Sequence, residues 1–424
     1  MSWLSISRSS SPVRTARSSL PTSGADVLKV EKPGLGDDMR SLKMAEIEGG
    51  DSAPFLWANR NKRSVALDLS QPAGRGVAFD LVSKADVVVE NFSAGVMARF
   101  GLDYETVASA NPQLIYCSIS AAGRDGTLST RVAFDPISQA ETGFIALNTV
   151  PGDPRRALQT PIADLTTGMM AASAILAAIA SRSTLGRGQL VEVAMFDQGI
   201  NLLSYHGLNY LISGMEPTAV AERSPGPVGV FATRDDDLYV CCANDRTFRR
   251  LVIDVLSRPE LADDPRFSTL QARLTNSLPF LTIVSEEFAR DELSNWLARL
   301  RASGVPAAPV ASVGEALTSP EVAERRLVSQ IPHPVAGSVP NVASPIRMGL
   351  TPVVDPVVAP SLGAHTDEVL TGTLGYAPDT IEALGLAGAF GPHGLKPKSG
   401  TQSAGDLGPL DVGGRQDRRT ARGG

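Results

Sequence analysis

Four short apolar runs recur in the first third of the chain, each separated from the next by turns or a stretch of helical spacing. They are DVLKVE (26–31), SVALDLS (64–70), DVVVEN (86–91) and LIYCSISA (114–121). DVVVEN and LIYCSISA are apolar at consecutive positions, which suits strands covered on both faces, as in a parallel sheet, while SVALDLS alternates and DVLKVE leads into a turn. Between them, PAGRGVAFDLVSKA (72–85) opens on a proline and places Val77, Leu81 and Val82 on one face, as a helix does. AGVMARFGL and DYETVASANP read as shorter helices. This alternation predicts an open α/β domain. In such sheets ligands collect beyond the carboxyl ends of the strands. Asn91 and Phe92 lie at one such end.

Further along, LTTGMMAASAILAAIASRS reads as a helix apolar on most sides, stopped by Gly186 and Gly188. LVEVAMF (190–196) is a strand and 197–214 a helix. Residues 215–228 are turn-rich and mark a boundary. GVFATRDDDLYVCCA then reads as a hairpin, and two helical stretches follow, a small α+β domain over 215–325. Residues 328–360 are rich in proline and valine and extended, before two terminal helices. The tail, 391–424, has few apolar residues and is expected to be disordered. Residues 1–23 are rich in serine and arginine with no acid, as in a transit peptide or a disordered leader.

Composition narrows the function. Hydrophobic residues are 43% and charged residues 20%, the balance of a globular protein with a core. A net charge of −6 disfavours a nucleic-acid partner. No apolar run suggests a membrane span; MMAASAILAAIA is too short. Cys117, Cys241 and Cys242 have neither metal spacing nor a disulfide framework, and read as thiols in a reducing compartment. Four scattered histidines, 206, 333, 365 and 393, suggest no metal pair.

Single residues admit two readings each. Asp164, in PIADLTTGM, is a helix N-cap or an ionised carboxylate held beside a helix start and usable as a nucleophile. Gly168 leaves room for an acyl group. Asn91 and Phe92 cap and pack a strand end, or donate to a ligand and wall a planar ring. Arg99 is a surface cation or a phosphate contact. Arg60, Lys62 and Arg63 form a solvated turn or a basic patch for a phosphorylated ligand. KPGLGDD lacks the rest of a dinucleotide fingerprint, and GRGQ lacks that of a phosphate-binding loop.

Taken in order, GADVLKVEKPGLGDDMR, NRNKRSVALDL, ADVVVENFSAGVMARFGLDYETVASANPQLIYCSIS, FDPISQAETGF, PIADLTTGMMAASAILAAI, GRGQLVEVAMFDQGINLL, PELADDPRF and LGAHTDEVL resemble the class III CoA-transferases. That group includes formyl-CoA and carnitine CoA-transferases, and the resemblance spans about residues 24–390. It implies an α/β fold with a large Rossmann-like domain built from 24–214 and a return segment, 326–390, around the small domain. It also implies an interlocked homodimer, small-molecule acyl-CoA and carboxylic acid substrates, and no cofactor beyond the CoA thioester. Asp164 falls on the family's nucleophile, forming a mixed anhydride and then an aspartyl-CoA thioester. Lys32, Leu67, Asn91, Phe92, Arg99 and Asp135 fall on CoA-contact positions. The cytoplasm is the expected location, or the mitochondrion if the leader is a transit peptide.

Two alternatives attach to the resemblance. Related α-methylacyl-CoA racemases carry a histidine where Phe134 stands here, so the second base of a racemisation is missing. At 1–23 the family's first strand, loop and helix are not recognisable. A chain without that strand would be a non-catalytic paralogue with part of its pocket lost.

Overall fold

The computed structural model describes residues 2–6, 24–42, 44–45, 47, 51–217 and 227–391. Six strands form the main sheet: β1 (Ser2–Ile6), β2 (Asp26–Glu31), β3 (Lys62–Ala66), β4 (Val87–Glu90), β5 (Ile115–Ser120) and β6 (Leu190–Ala194). Their order is β3-β2-β1-β4-β5-β6, and every pair is parallel. This is the doubly wound Rossmann order, in which the winding reverses between β1 and β4.

β1 corrects the expectation of a leader over 1–23 with its strand missing. Ser2–Ile6 lies at the centre of the sheet, with Leu4 opposite both Leu28 and Val88 and its side chain buried. SWLSI is short and interrupted by serines, so its own pattern is weak. Hydrogen-bonding partners on both edges make it a strand, a tertiary effect that local propensity does not report. Of the leader or transit-peptide reading of 1–23, residues 7–23 lie outside the described residues, as do 392–424 of the tail expected over 391–424.

Alternate residues of the strands face opposite layers. On one face Leu4, Leu28, Val65, Val88 and Tyr116 pack on Val77, Leu81 and Val82 of α1 (Pro72–Lys84). Val369, Leu370, Ala389 and Phe390 join the same core, which brings the end of the described chain back onto the large domain. On the other face Val27, Val87, Val89, Ile115 and Cys117 meet a helix, Ile162–Leu185, through Ala171, Ala172, Ile175 and Ala178. By length and composition this helix could cross a membrane, which the sequence reading found in no segment. Its alanine-rich face sits close on the sheet, while Met169, Met170, Leu176 and Leu185 are exposed on the helix's other side, so a helix expected to be apolar on most sides is buried on one.

Other boundaries moved slightly. The strand expected over 64–70 ends at Ala66, leaving Leu67 to Ser70 as a turn at the carboxyl end of β3. The helix expected over 197–214 is two, Met195–Asn201 and Ser204–Ser213, with Ser204 at a positive φ of 54°. Beyond 217 the chain builds a three-stranded antiparallel sheet of β7 (Val228–Ala232), β8 (Asp237–Cys241) and β9 (Ala307–Pro309). Phe248, Phe280, Phe288 and Trp296 fill its core, and the Trp296 indole donates to the Phe288 carbonyl at 2.8 Å. A separate hairpin, β10 (Val328–His333) and β11 (Gly337–Val342), follows.

Candidate active site

A cavity of about 680 Å³ opens at the carboxyl ends of the parallel strands. Val30, Glu31 and Lys32 line it at the end of β2, Leu67 to Ser70 after β3, and Asn91 and Phe92 after β4. Ile119, Ser120 and Ala121 contribute from β5, and Met195 follows β6. The walls are largely apolar, as a site for a pantetheine arm and a base requires. Of the seven residues expected to carry function, Lys32, Leu67, Asn91, Phe92, Arg99 and Asp164 line this one cavity.

Two further helices bear on the site, α2 (Val96–Phe100) at the cavity wall and α4 (Asp135–Glu141) against the helix Ile162–Leu185, α5; α3 (Tyr104–Ala110) packs on α1 in the other layer. Asp164 is not the N-cap of α5. Pro161 occupies that position without a side-chain cap, and Asp164 sits in the first helical turn, 4% exposed. Its backbone N–H is one of those the helix cannot satisfy itself. The Asp135 Oδ2 accepts it at 2.9 Å. The other Asp135 oxygen accepts from the Gln139 side-chain amide, and Gln139 in turn accepts the Leu158 N–H at 2.9 Å. Asp135 therefore does the capping, and Asp164 lies at the cavity wall. Asp135, the seventh residue expected to carry function, is buried behind Asp164 and is not among the residues that line the cavity. The two threonines that follow bond back into the helix, Thr166 to the Ile162 carbonyl at 2.7 Å and Thr167 to that of Ala163 at 2.6 Å.

Four cations line the cavity, and three are paired. Lys32 meets Asp38 at 3.0 Å, Arg131 meets Glu141, and Arg124 meets Glu90 at 2.7 Å. Arg99, exposed on α2, has no carboxylate partner among the described residues, so its guanidinium is available to a phosphate. Phe92 packs edge-on to Phe100, with ring centroids 6.1 Å apart.

Arg124 is the residue sequence reasoning missed. Besides Glu90, it donates to the Ser118 hydroxyl at 2.7 Å, the Phe92 carbonyl at 2.6 Å and the Ile119 carbonyl at 3.2 Å. Glu90 also accepts the Phe92 N–H at 2.8 Å. The two charges thus clamp the turn that presents Asn91 and Phe92. Burial pushes the Glu90 carboxyl up, Arg124 and Ser118 oppose it, and it stays above its ordinary value. In sequence Arg124 lies in GRDGT, which reads as a solvated turn, and nothing there announces the pairing.

The basic run 60–63 does not reach this cavity. Lys62 is buried and donates to the Ala58 carbonyl at 2.5 Å, and Arg63 pairs with Asp26 and Glu368. Arg60 turns toward Asn341 and Val342. None of His206, His333 and His365 lines the cavity, and Phe134 does, so a racemase's second base is absent from the described walls; His393 lies outside the described residues. Among the described residues no cluster of histidine, cysteine and carboxylates could hold a metal.

The model of CoA-transferase family III matches residues 10–366, beginning inside the segment expected to be a leader. The chain belongs to CoA-transferase family III. Succinate–glutarate CoA-transferase of Agrobacterium fabrum is 36% identical over 355 residues, covering 82% of this chain and 88% of that protein. Acetyl-CoA:oxalate CoA-transferase of Acetobacter aceti is 34% identical over 328 residues, covering 77% and 82%. In structure the chain resembles a CAIB/BAIF family protein from Brucella suis, with a TM-score of 0.77 and 31% identity over 88% of this chain and 98% of that one. The protein is a class III CoA-transferase, and its substrates are an acyl-CoA and a carboxylic acid.

Proposed function

We infer that Asp164 is the nucleophile of this transferase and that the acceptor is a short dicarboxylic acid. The observation that carries the first part is the placement of Asp164, in the first turn of α5, on the wall shared with five expected CoA contacts. A carboxylate at that place is within reach of an acyl carbon in the cavity and is a usable nucleophile toward it. An Asp164 oxygen attacks the donor thioester carbonyl; the C–S bond breaks, giving an acyl-aspartyl anhydride and CoA thiolate. The thiolate attacks the aspartyl carbonyl and expels the donor acid, leaving an aspartyl-CoA thioester. An acceptor carboxylate oxygen then attacks that carbonyl, and the released thiolate takes the acceptor's acyl group. The Asp164 carboxylate is regenerated, with one oxygen drawn from the acceptor.

The second part rests on the relatives, whose names specify succinate, glutarate and oxalate, all dicarboxylates. Arg99 supplies a phosphate contact for CoA, and the Phe92 turn a wall for its planar and pantetheine portions. Asp164→Ala, assayed with succinyl-CoA and glutarate, is expected to lower kcat by about 10³-fold or more while still binding CoA. Transfer at the wild-type rate would remove Asp164 from the chemistry.

A further inference from the structure

A second cavity, about 330 Å³, lies at the opposite end of the main sheet. Arg60 and Asn61 immediately precede β3, so they stand at its amino end, whereas the CoA cavity lies at its carboxyl end. The five residues of β3 separate the two by about 16 Å. The other wall is the strap that leaves the β10–β11 hairpin. Asn61 holds that strap, donating to the Asp355 carbonyl at 3.1 Å and accepting the Val357 N–H at 2.6 Å.

Four guanidinium groups line this cavity, those of Arg60, Arg325, Arg326 and Arg347, together with Asn341 and Ser344. No carboxylate does. None of the four arginines forms an ion pair among the described residues. Arg347 reaches across to the Arg325 carbonyl at 2.6 Å. The Arg60 Nε is buried and without a hydrogen-bond partner, and burial pushes that group below its usual value. Like charges gathered in one concavity repel, and in a chain of net charge −6 acidic partners were available to neutralise them. The lining retains guanidinium groups, whose planar fork matches the oxygens of phosphate and carboxylate.

We propose that this cavity is a binding site for a small multivalent anion, separate from the CoA site. Its charge suits a ligand bearing two or more phosphate or carboxylate groups, and its volume excludes a whole CoA. The site absorbs Arg60, the one member of the 60–63 run that neither pairs with a carboxylate nor lies fully in the fold's interior.

Calorimetric titration of the full chain with pyrophosphate, and separately with citrate, at low ionic strength and with CoA saturating, tests the proposal. One equivalent of at least one probe is expected to bind without competition from CoA. Arg347→Ala, an exposed position, is expected to weaken binding at least tenfold, and Arg325→Ala likewise. Binding of pyrophosphate alone identifies a phosphate ligand, and binding of citrate alone a polycarboxylate. No saturable binding of either probe, displacement by CoA, or unchanged affinity in both variants overturns the site. The readout does not depend on transferase turnover, so it stands or falls apart from the role of Asp164.

Discussion

At the residue scale, Asp164 and Asp135 divide a task that the sequence assigns to one aspartate. The N-terminal turn of α5 needs an acceptor for its free amides, and PIADLTTGM offers Asp164 as the obvious cap. The acceptor is instead Asp135, 29 positions earlier, bonded to the Asp164 N–H. That pairing is long-range, so no local pattern could disclose it; the resemblance pointed to Asp135 but gave it a different role. Asp135→Ala should therefore act through the placement of Asp164. Loss of a charged hydrogen bond of about 1.5–3 kcal/mol predicts a fall in kcat of roughly 10- to 100-fold, with little change in KM for the acyl-CoA. Asp135→Asn keeps an acceptor oxygen and should recover most of the rate. Equal loss in both variants, or an effect confined to KM, would contradict a positioning role.

At the element scale, the strands with strong β-branched runs were legible, and β2 falls on the residues expected. β1 was not, since SWLSI takes its strand state from β2 and β4. The loop after β2 was legible only as a turn. It is fixed by buried charge: Glu31 accepts both Arg40 Nε at 2.9 Å and Nη2 at 2.8 Å, and Ser64 at 2.6 Å, while Lys29 meets Asp37 at 2.6 Å. Burial pushes the Glu31 carboxyl up, but the hydrogen bonds from Arg40 and Ser64 and the charges of Lys29 and Arg40 outweigh it, leaving it below 4.5. The stability it contributes is therefore present above pH 4.5 and lost as pH falls below that value through its folded range. Glu31→Gln leaves Arg40 with Asp51 as its remaining counter-charge and removes a charged hydrogen-bond acceptor, a loss of about 1.5–3 kcal/mol. Denaturant midpoints should drop at neutral pH, and the difference from the wild type should shrink as pH falls below 4.5. A constant difference across that range would refute the linkage.

At the scale of the whole molecule, the Rossmann order sets the carboxyl ends of β2, β3, β4 and β5 around one cavity, which is why residues scattered from 32 to 164 meet. One surface is left apolar. Tyr205, Leu208, Leu211 and Ile212 on the helix Ser204–Ser213 are all exposed, Leu211 at 80%. A contiguous apolar face of this kind is a mark of a partner surface. With the interlocked homodimer that the family resemblance implies, the chain is expected to sediment at twice its 44.5 kDa mass at nanomolar concentration. A monomer under those conditions would argue against that assembly. The covalent role of Asp164 is tested most directly by turnover with an acceptor acid whose carboxylates carry heavy oxygen, followed by mass spectrometry of the peptide containing residue 164. The anhydride route predicts one heavy oxygen retained in Asp164 after a single turnover, and an unlabelled Asp164 after complete transfer would contradict it.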